Sequence, residues 1–574
     1  MEYFGTKVGN GLALGNVSIV ENTVPKINEN KVEDIDNELD KINFIIDTNI
    51  KEFNRIINTS KDKDIIQLCE FNKMILMANS LKTKLINEIN EYKNSAFILN
   101  SYFENKINDL EKSNNNYLKE RKYDLLDLKN NLIKDYYGIK KFDSNNLKND
   151  TILVSNEVTP SMLLSGNISK LKGIVSEIGG KTSHVAILCS SLNIPVVFGI
   201  KDISKILTEN EKIFINAGRG LIETKITEDR IIEIEKSIEK EKIINKELEK
   251  FGKNEAITED GKKYEVAINS GDLIELDKIN YSNIDGIGLF RSEFLFLNKN
   301  VAPTEEYLFS IYESIAKKTK RKRFIIRTLD IGGDKKCSYI DIENEQNPFL
   351  GYRAIRYCID HKSFFKTSLR AILRASIYGN IHIMYPMISS LEDIIEANKI
   401  LEEAKEELDK EKIKYDNNIK VGVMVEIPSI AISANEIIKY VDFFSVGTND
   451  LVQYTLAVDR TNPYIAKYYN WFNPGVLKLI KNTINSTKIY DDKFTGMCGE
   501  MASDPLGVIL LVGFGIDEFS VNINSLNRIK KYITMLNFKE TESFVEEILK
   551  LDSTKEIEDR LQLFAKEKFG KYYN

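Results

Sequence analysis

Hydrophobic and polar positions change texture several times along the chain. The opening residues, to about Ile19, are β-prone and carry Gly5, Gly9, Gly11 and Gly15. From about Val32 to Lys141 glycine is nearly absent, and apolar residues recur every three or four positions, as in DIDNELDKINFIIDTNIKEFNRII. That period predicts a bundle of several antiparallel helices. Between Thr151 and Thr224 short apolar runs (TILVS, GIVSEI, IPVVFGI, KIFINA) are separated by glycines and one helical stretch, which predicts a compact α/β unit. The opening strand is expected to join this unit, so that the bundle interrupts it. A charged stretch follows, EDRIIEIEKSIEKEKIINKELEKFGKN, with Glu/Lys pairs at helical spacing. As one helix it would be about 35 Å long.

From Tyr264 onward β-like runs alternate with helical ones: YEVAINS, GIGLFRSEF, FIIRTLDIG, IHIMYPMIS, KVGVMVEIPS, DFFSVGTND, FTGMCGE and IDEFSV. Eight strands with helices between them predict a (β/α)8 TIM barrel, although a doubly wound open sheet shows the same alternation. The expected molecule is multidomain α/β. Residues 1–20 and 147–226 form the α/β domain, 21–146 the inserted helical bundle, 227–260 a linker helix and 261–574 the barrel.

Composition narrows the function more than the fold. A chain of 574 residues is too long for one core. No apolar run reaches the roughly 18 residues of a membrane span, and the N-terminal MEYFGTKVGN has no signal-peptide pattern. Five scattered cysteines without CxxC spacing point to a reducing cytoplasm, without disulfides or a zinc site. A net charge of −6 with both signs interspersed gives no footprint for nucleic acid.

In a TIM barrel the active site gathers at the C-terminal ends of the strands. Those ends carry Arg291, Arg327, Glu426, Asn449 with Asp450, and Cys498. Paired arginines suit a di- or trianionic substrate, because the guanidinium fork matches phosphate and carboxylate oxygens. Glu426 and Asp450 offer hard oxygen ligands of the kind Mg²⁺ prefers. A single Arg or Glu at a strand end is usually a structural ion pair, and a lone cysteine usually a core thiol. Their succession at one strand end after another is what points to a site. Arg353 and Arg356 lie close together in GYRAIR, and one of them is readable as a surface charge.

Only three histidines occur. His361, in CIDHKSFF, reads as exposed, and His382, in NIHIMYP, as a packed core residue. His184, in EIGGKTSHVAILCSS, follows a glycine turn with Thr182 or Ser183 as N-cap, near the amides and dipole that favour phosphate. GGKTS is similar to the end of a P-loop, but the pattern needs glycine where Val175 stands.

GGKTSH, GLFRSEFLF, IRTLDIGGDK, NPFLGYRAIR, VEIPS, FFSVGTNDLVQYTLAVDR and GMCGE, in this order, together with YLKER at Tyr117 to Arg121, resemble the phosphoenolpyruvate–protein phosphotransferases, Enzyme I of the bacterial sugar phosphotransferase system. The resemblance runs over essentially the whole chain. It implies a swivelling phosphohistidine domain, a bundle that binds the small carrier HPr, and a barrel that binds phosphoenolpyruvate and forms a homodimer. It further implies that Arg291 and Arg327 hold the substrate phosphate with Arg353 assisting. Asn449, Asp450 and Arg460 bind substrate, Glu426 and Asp450 ligate Mg²⁺, Cys498 delivers a proton to the enolate carbon of pyruvate, and His184 is the nucleophile. The chain departs from the family at Lys181, at Val185 and above all at Ser190, where an arginine is expected to steady phosphohistidine. CEFNKMILMANSLKTKL also lacks the acidic residues and the histidine commonly found on the family's carrier-binding face. Dikinase and synthase relatives need a further nucleotide-binding domain for which no room exists before His184. A phosphoenolpyruvate-binding scaffold gives Cys498 no role, and a pyruvate lyase leaves the N-terminal half without one.

Overall fold

The computed structural model describes the chain apart from residues 9–10, 21–24, 28–30, 60–62, 92, 113–115, 140–141, 165–167, 180–184, 187–188, 190–193, 272, 298–300, 334–336, 338, 341–344, 461, 463–464 and 574. It divides into two compact units, Met1–Ile243 and Ile244–Asn574, with the boundary inside the helix Glu228–Phe251.

In the first unit β1 (Glu2–Phe4), β2 (Thr6–Val8) and β3 (Leu12–Val20) share one sheet with β4 (Thr151–Glu157), β5 (Leu171–Ile178), β6 (Val196–Phe198), β7 (Lys212–Asn216) and β8 (Leu221–Glu223). The order among the described residues is β1-β8-β7-β3-β4-β5-β6-β2. β3 to β6 run parallel, from Asn16 opposite Thr151 onward, while β7, β8, β1 and β2 pair antiparallel. Both faces are apolar because Ile152, Leu153 and Val154 in β4 and Ile174 and Val175 in β5 follow one another without a polar residue between them. Leu153, Ile174 and Val196 pack on one side, and Ile152, Val154, Val175 and Val197 on the other.

Among the described residues five α-helices lie between β3 and β4, α1 (Ile35–Thr59), α2 (Lys63–Leu76), α3 (Asn79–Asn90), α4 (Ser95–Lys112) and α5 (Asn116–Tyr136). Ile42, Leu81, Leu85, Leu99, Phe103 and Leu132 form their common core, as the period of apolar residues predicts. The Asp127 carboxylate on α5 fastens the bundle to the short helix Pro160–Leu164 after β4 by accepting from the Ser161 amide at 3.1 Å and hydroxyl at 2.9 Å. The helix Glu228–Phe251 lies where the charged run predicts one; its Arg230 holds Glu223 at 2.8 Å.

In the second unit a two-residue strand β9 (Ala256–Ile257) leads into β10 (Lys263–Ser270), β11 (Gly286–Arg291), β12 (Arg323–Arg327), β13 (Asn380–Tyr385), β14 (Lys420–Val425), β15 (Phe443–Val446), β16 (Phe494–Met497) and β17 (Glu518–Val521). β10 to β17 are parallel, and β10 pairs with both β17 and β11, so the sheet closes. Closure removes the open-sheet alternative. Leu289, Ile325, Met384, Met424 and Phe443 fill the interior, and a large cluster packs the strands against the outer helices. His382 is buried there, and burial pushes its imidazole down to about 3, so it is a neutral core group. His361 is exposed and stacks on Tyr357 at 3.9 Å. Among the described residues no helix is long and apolar enough to cross a membrane.

Candidate active site

Every barrel strand points the same way, so its C-terminal ends share one mouth. β11 ends on Arg291 and β12 on Arg327, and Glu426 follows β14. Asn449 and Asp450 lie in the first turn of the helix Thr448–Leu456 after β15, and Cys498 follows β16. The loop after β12 adds Asp330, and a later turn brings in Arg353, only 1% exposed.

A buried ion network joins Arg327, Asp330, Arg353 and Asp450 among them, together with Glu293. Arg327 donates through Nη2 to Glu293 and lies 2.9 Å from Asp330. Arg353 Nη2 donates to the other oxygen of Asp330 at 2.8 Å and stands 3.7 Å from Asp450. Its Nη1 reaches the Tyr454 hydroxyl at 3.3 Å. Burial works against both guanidinium charges, yet the surrounding carboxylates outweigh it and hold both arginines firmly protonated. Backbone geometry makes room for Arg353. Gly332 has φ +115°, and a Cβ there would stand 2.4 Å from the Cβ of Arg353. Ala354, next in sequence, sits at φ +53°, a costly conformation for a residue with a side chain.

Glu426 is 3% exposed and accepts from the Met387 amide at 2.6 Å. Burial, with Asp450 and Asp330 adding negative charge, pushes its carboxyl well above the usual range. Asp450 Oδ1 is buried without a hydrogen bond, 3.5 Å from Arg460. Glu426 and Asp450 therefore crowd negative charge at two adjoining strand ends, which a divalent cation would relieve. Among the described residues no cluster of three or more His, Cys, Asp or Glu is arranged to hold a metal. Two carboxylates completed by substrate oxygens suit Mg²⁺, which seldom uses an all-protein cage.

Cys498 is 5% exposed, and its Sγ approaches the Val446 carbonyl at 3.5 Å. Burial pushes the thiol up to about 11, so near neutral pH it carries its proton. Asn449 stands at the rim, its Oδ1 accepting from the Glu500 amide at 3.1 Å. Arg356 turns away and donates to the carbonyls of Leu350 and Gly351, each at 2.9 Å.

Arg327, Asp330, Arg353, Asp450 and Arg460 thus form one chain of contacts, with Glu426 in their electrostatic field, and Arg291 at the end of β11 and Cys498 after β16 stand at the same mouth. His184, with Lys181 and Ser190, lies outside the described residues. Sequence reasoning missed Glu293, Asp330 and Tyr454. The first two stand two and three residues past Arg291 and Arg327, inside motifs whose arginines alone drew attention.

Comparison with known proteins places this barrel in a class. The model of the PEP-binding domain of PEP-utilising enzymes matches residues 245–538, that of their mobile domain 147–220 and that of their N-terminal domain 4–121. A phosphoenolpyruvate-protein phosphotransferase of Buchnera aphidicola is 38% identical over 96% of this chain and 98% of its own length. Proteins of the same name from Haemophilus influenzae and Mycoplasma capricolum are 37% and 34% identical, over 97% and 98% of this chain and 98% of each relative. The chain belongs to the phosphoenolpyruvate-protein phosphotransferase family.

Proposed function

We propose that the barrel mouth binds phosphoenolpyruvate, that its phosphoryl group moves to His184 with release of pyruvate, and that the phosphohistidine then passes it to a histidine of an HPr-like carrier. That transfer would start a sugar phosphotransferase cascade. The observation that carries this reading is the buried Arg327–Asp330–Arg353 network beside Glu426 and Asp450, with a protonated thiol ending a nearby strand. Such an array suits a small trianion whose reaction needs positioning and charge neutralisation rather than new covalent partners in the barrel.

Arg291 and Arg327 bind the phosphate, with Arg353 assisting, while Asn449, Asp450 and Arg460 bind the substrate's remaining oxygens. Glu426 and Asp450 would hold Mg²⁺, which, when bound, neutralises charge on the phosphate and carboxylate. The neutral imidazole of His184 attacks phosphorus, an N–P bond forms and the P–O bond to the enol breaks. The enolate carbon takes the proton of Cys498 Sγ, and the thiolate recovers one from water. The Asp330 and Glu293 carboxylates hold the arginines aimed and charged before substrate arrives, so little reorganisation is left to the reaction itself.

Residues 1–20 and 147–226 form the mobile phosphohistidine domain, 227–260 the linker, 261–574 the substrate and dimerisation domain, and 21–146 the carrier-binding bundle. Exposed Phe44, Met74 and Met77 support the last assignment, and exposed Ile432 and Ile489 support a barrel homodimer. All five cysteines are free thiols, which fits a cytoplasmic site of action. Labelled phosphoenolpyruvate with Mg²⁺ should leave acid-labile, base-stable label on the native chain and none on His184→Ala, with one pyruvate released per site. Absence of label on the native chain, despite substrate binding, would reject the reading.

A further inference from the structure

Cys498 is gripped by its backbone from two sides. Its amide donates to the Val446 carbonyl at the end of β15 at 3.0 Å. Its own carbonyl accepts from Asn269 Nδ2 at 3.0 Å. Asn269 belongs to β10, which is not a neighbour of β16, because β17 lies between them. The amide crosses that strand by using it. The same Nδ2 donates to the Ser520 carbonyl at 2.9 Å, and the Ser520 hydroxyl donates back to Asn269 Oδ1 at 2.6 Å. Three of the four hydrogen bonds open to a carboxamide are thereby made. Ser520 itself is fully buried.

With its amide and its carbonyl both held, the Cα of Cys498 and the direction of its Cα–Cβ bond are fixed, which limits where the thiol can stand. The closing β10–β17 seam gains nothing from the Cys498 bond, since its ladder runs from Glu265 opposite Glu518 to Ile268 opposite Val521 without it. The bond instead ties the loop after β16 to the far side of the seam.

We propose that Asn269 is a positioning residue for proton delivery, holding Cys498 so that its Sγ–H faces one side of the enolate carbon. The inference rests on the reading that Cys498 is the proton donor. In that step the S–H bond breaks, a C–H bond forms at C3 of the enolate, and the thiolate is reprotonated by water after pyruvate leaves. Without the clamp, the enol leaves unprotonated and takes its proton from water on either side.

The test uses the full-length protein and phosphoenolpyruvate carrying one tritium of known geometry at C3, in D₂O, under single turnover. Protonation on the protein gives pyruvate with a chiral methyl group, and protonation in water gives a racemic one. The native chain is expected to give a chiral product. Asn269→Asp, which keeps the size but cannot donate to either carbonyl, should lose at least half of that configurational purity while His184 is still phosphorylated in full. Ser520→Ala, which frees the amide on one side, should show a smaller loss, and it decides the matter if Asn269→Asp does not fold. Fully chiral pyruvate from Asn269→Asp, or from Ser520→Ala where that variant decides, overturns the proposal. Cys498→Ala separates the two layers. If it still yields chiral product, the assignment of Cys498 as donor falls. If it yields racemic product while Asn269→Asp stays chiral, only the role of Asn269 falls.

Discussion

Asp330 stands between two arginines, its Oδ1 2.8 Å from Arg353 and its Oδ2 2.9 Å from Arg327. One carboxylate therefore fixes the spacing of two cations that would otherwise repel each other in a place with little water. Removing one partner of a buried network costs more than the network contributes, because the remaining charges stay buried and unbalanced. Asp330→Ala should lower the stability of the barrel by about 3–5 kcal/mol, read from urea denaturation followed by barrel-specific fluorescence of Trp471. A loss below 1 kcal/mol would show that the arginines find other partners.

Gly332→Ala should act on the substrate site from outside it. The added Cβ meets Arg353 at 2.4 Å and must adopt φ +115°. Both effects displace Arg353 or its loop. The expected result is weaker phosphoenolpyruvate binding by roughly tenfold, about 1.4 kcal/mol, with a lower melting temperature. Isothermal titration with the native chain beside the variant measures the first, and calorimetry the second.

Eight barrel strands were legible because each is a largely apolar run, and six of them end on or just before Gly, Pro or a charged residue, while burial on both faces keeps such runs unbroken. The strand-end residues were legible for the same reason, since a charge closing an apolar run stands out. Asp330 did not stand out. In LDIGG it reads as an ordinary turn residue, and only the fold shows that Arg353, from a separate turn, comes to meet it. Asn269 in YEVAINS reads as one more strand residue, since its reach over β17 depends on barrel closure. β1, β2 and β8, at three residues each, are too short to show any period. His184 remains a reading of the sequence alone.

Metal dependence should follow the two crowded carboxylates. Asp450→Asn keeps the shape and removes one charge, so the Mg²⁺ concentration that half-saturates phosphorylation should rise roughly 10–100-fold. Chelation of the native chain should abolish label transfer, and added Mg²⁺ should restore it. Direct Mn²⁺ titration by electron paramagnetic resonance gives the same comparison without turnover. Equal affinities in both proteins would remove Asp450 from the ligand set.

Glu518, at the opposite end of the barrel from the mouth, provides a pH signature. Burial is the largest influence, and Glu265, Asp285 and Asp517 add to it against Arg323, so its carboxyl rises from 4.5 to about 7. A carboxyl raised in the folded state stabilises the fold while it is protonated, below pH 4.5, and that contribution is lost as pH rises through 7. Relative to native, Glu518→Gln should therefore gain about 2–3 kcal/mol of stability on going from pH 5 to pH 8. Urea midpoints at the two pH values measure the difference, and a constant offset would contradict the assignment.

The pairing of β3 with β4 sets a schedule for synthesis. Val20 and Ser155 are register partners, yet about 130 residues separate their strands, and the whole helical bundle is spelled out between them. At roughly 5–20 residues per second the first strand waits about 7–27 s after leaving the ribosome before its partner exists. The bundle can use that interval, since its own contacts are local, and once folded it shortens the loop that β3 and β4 must close. A nascent chain arrested within α4 or α5 would thus present an unpaired Leu12–Val20 edge, the natural target for a ribosome-associated chaperone.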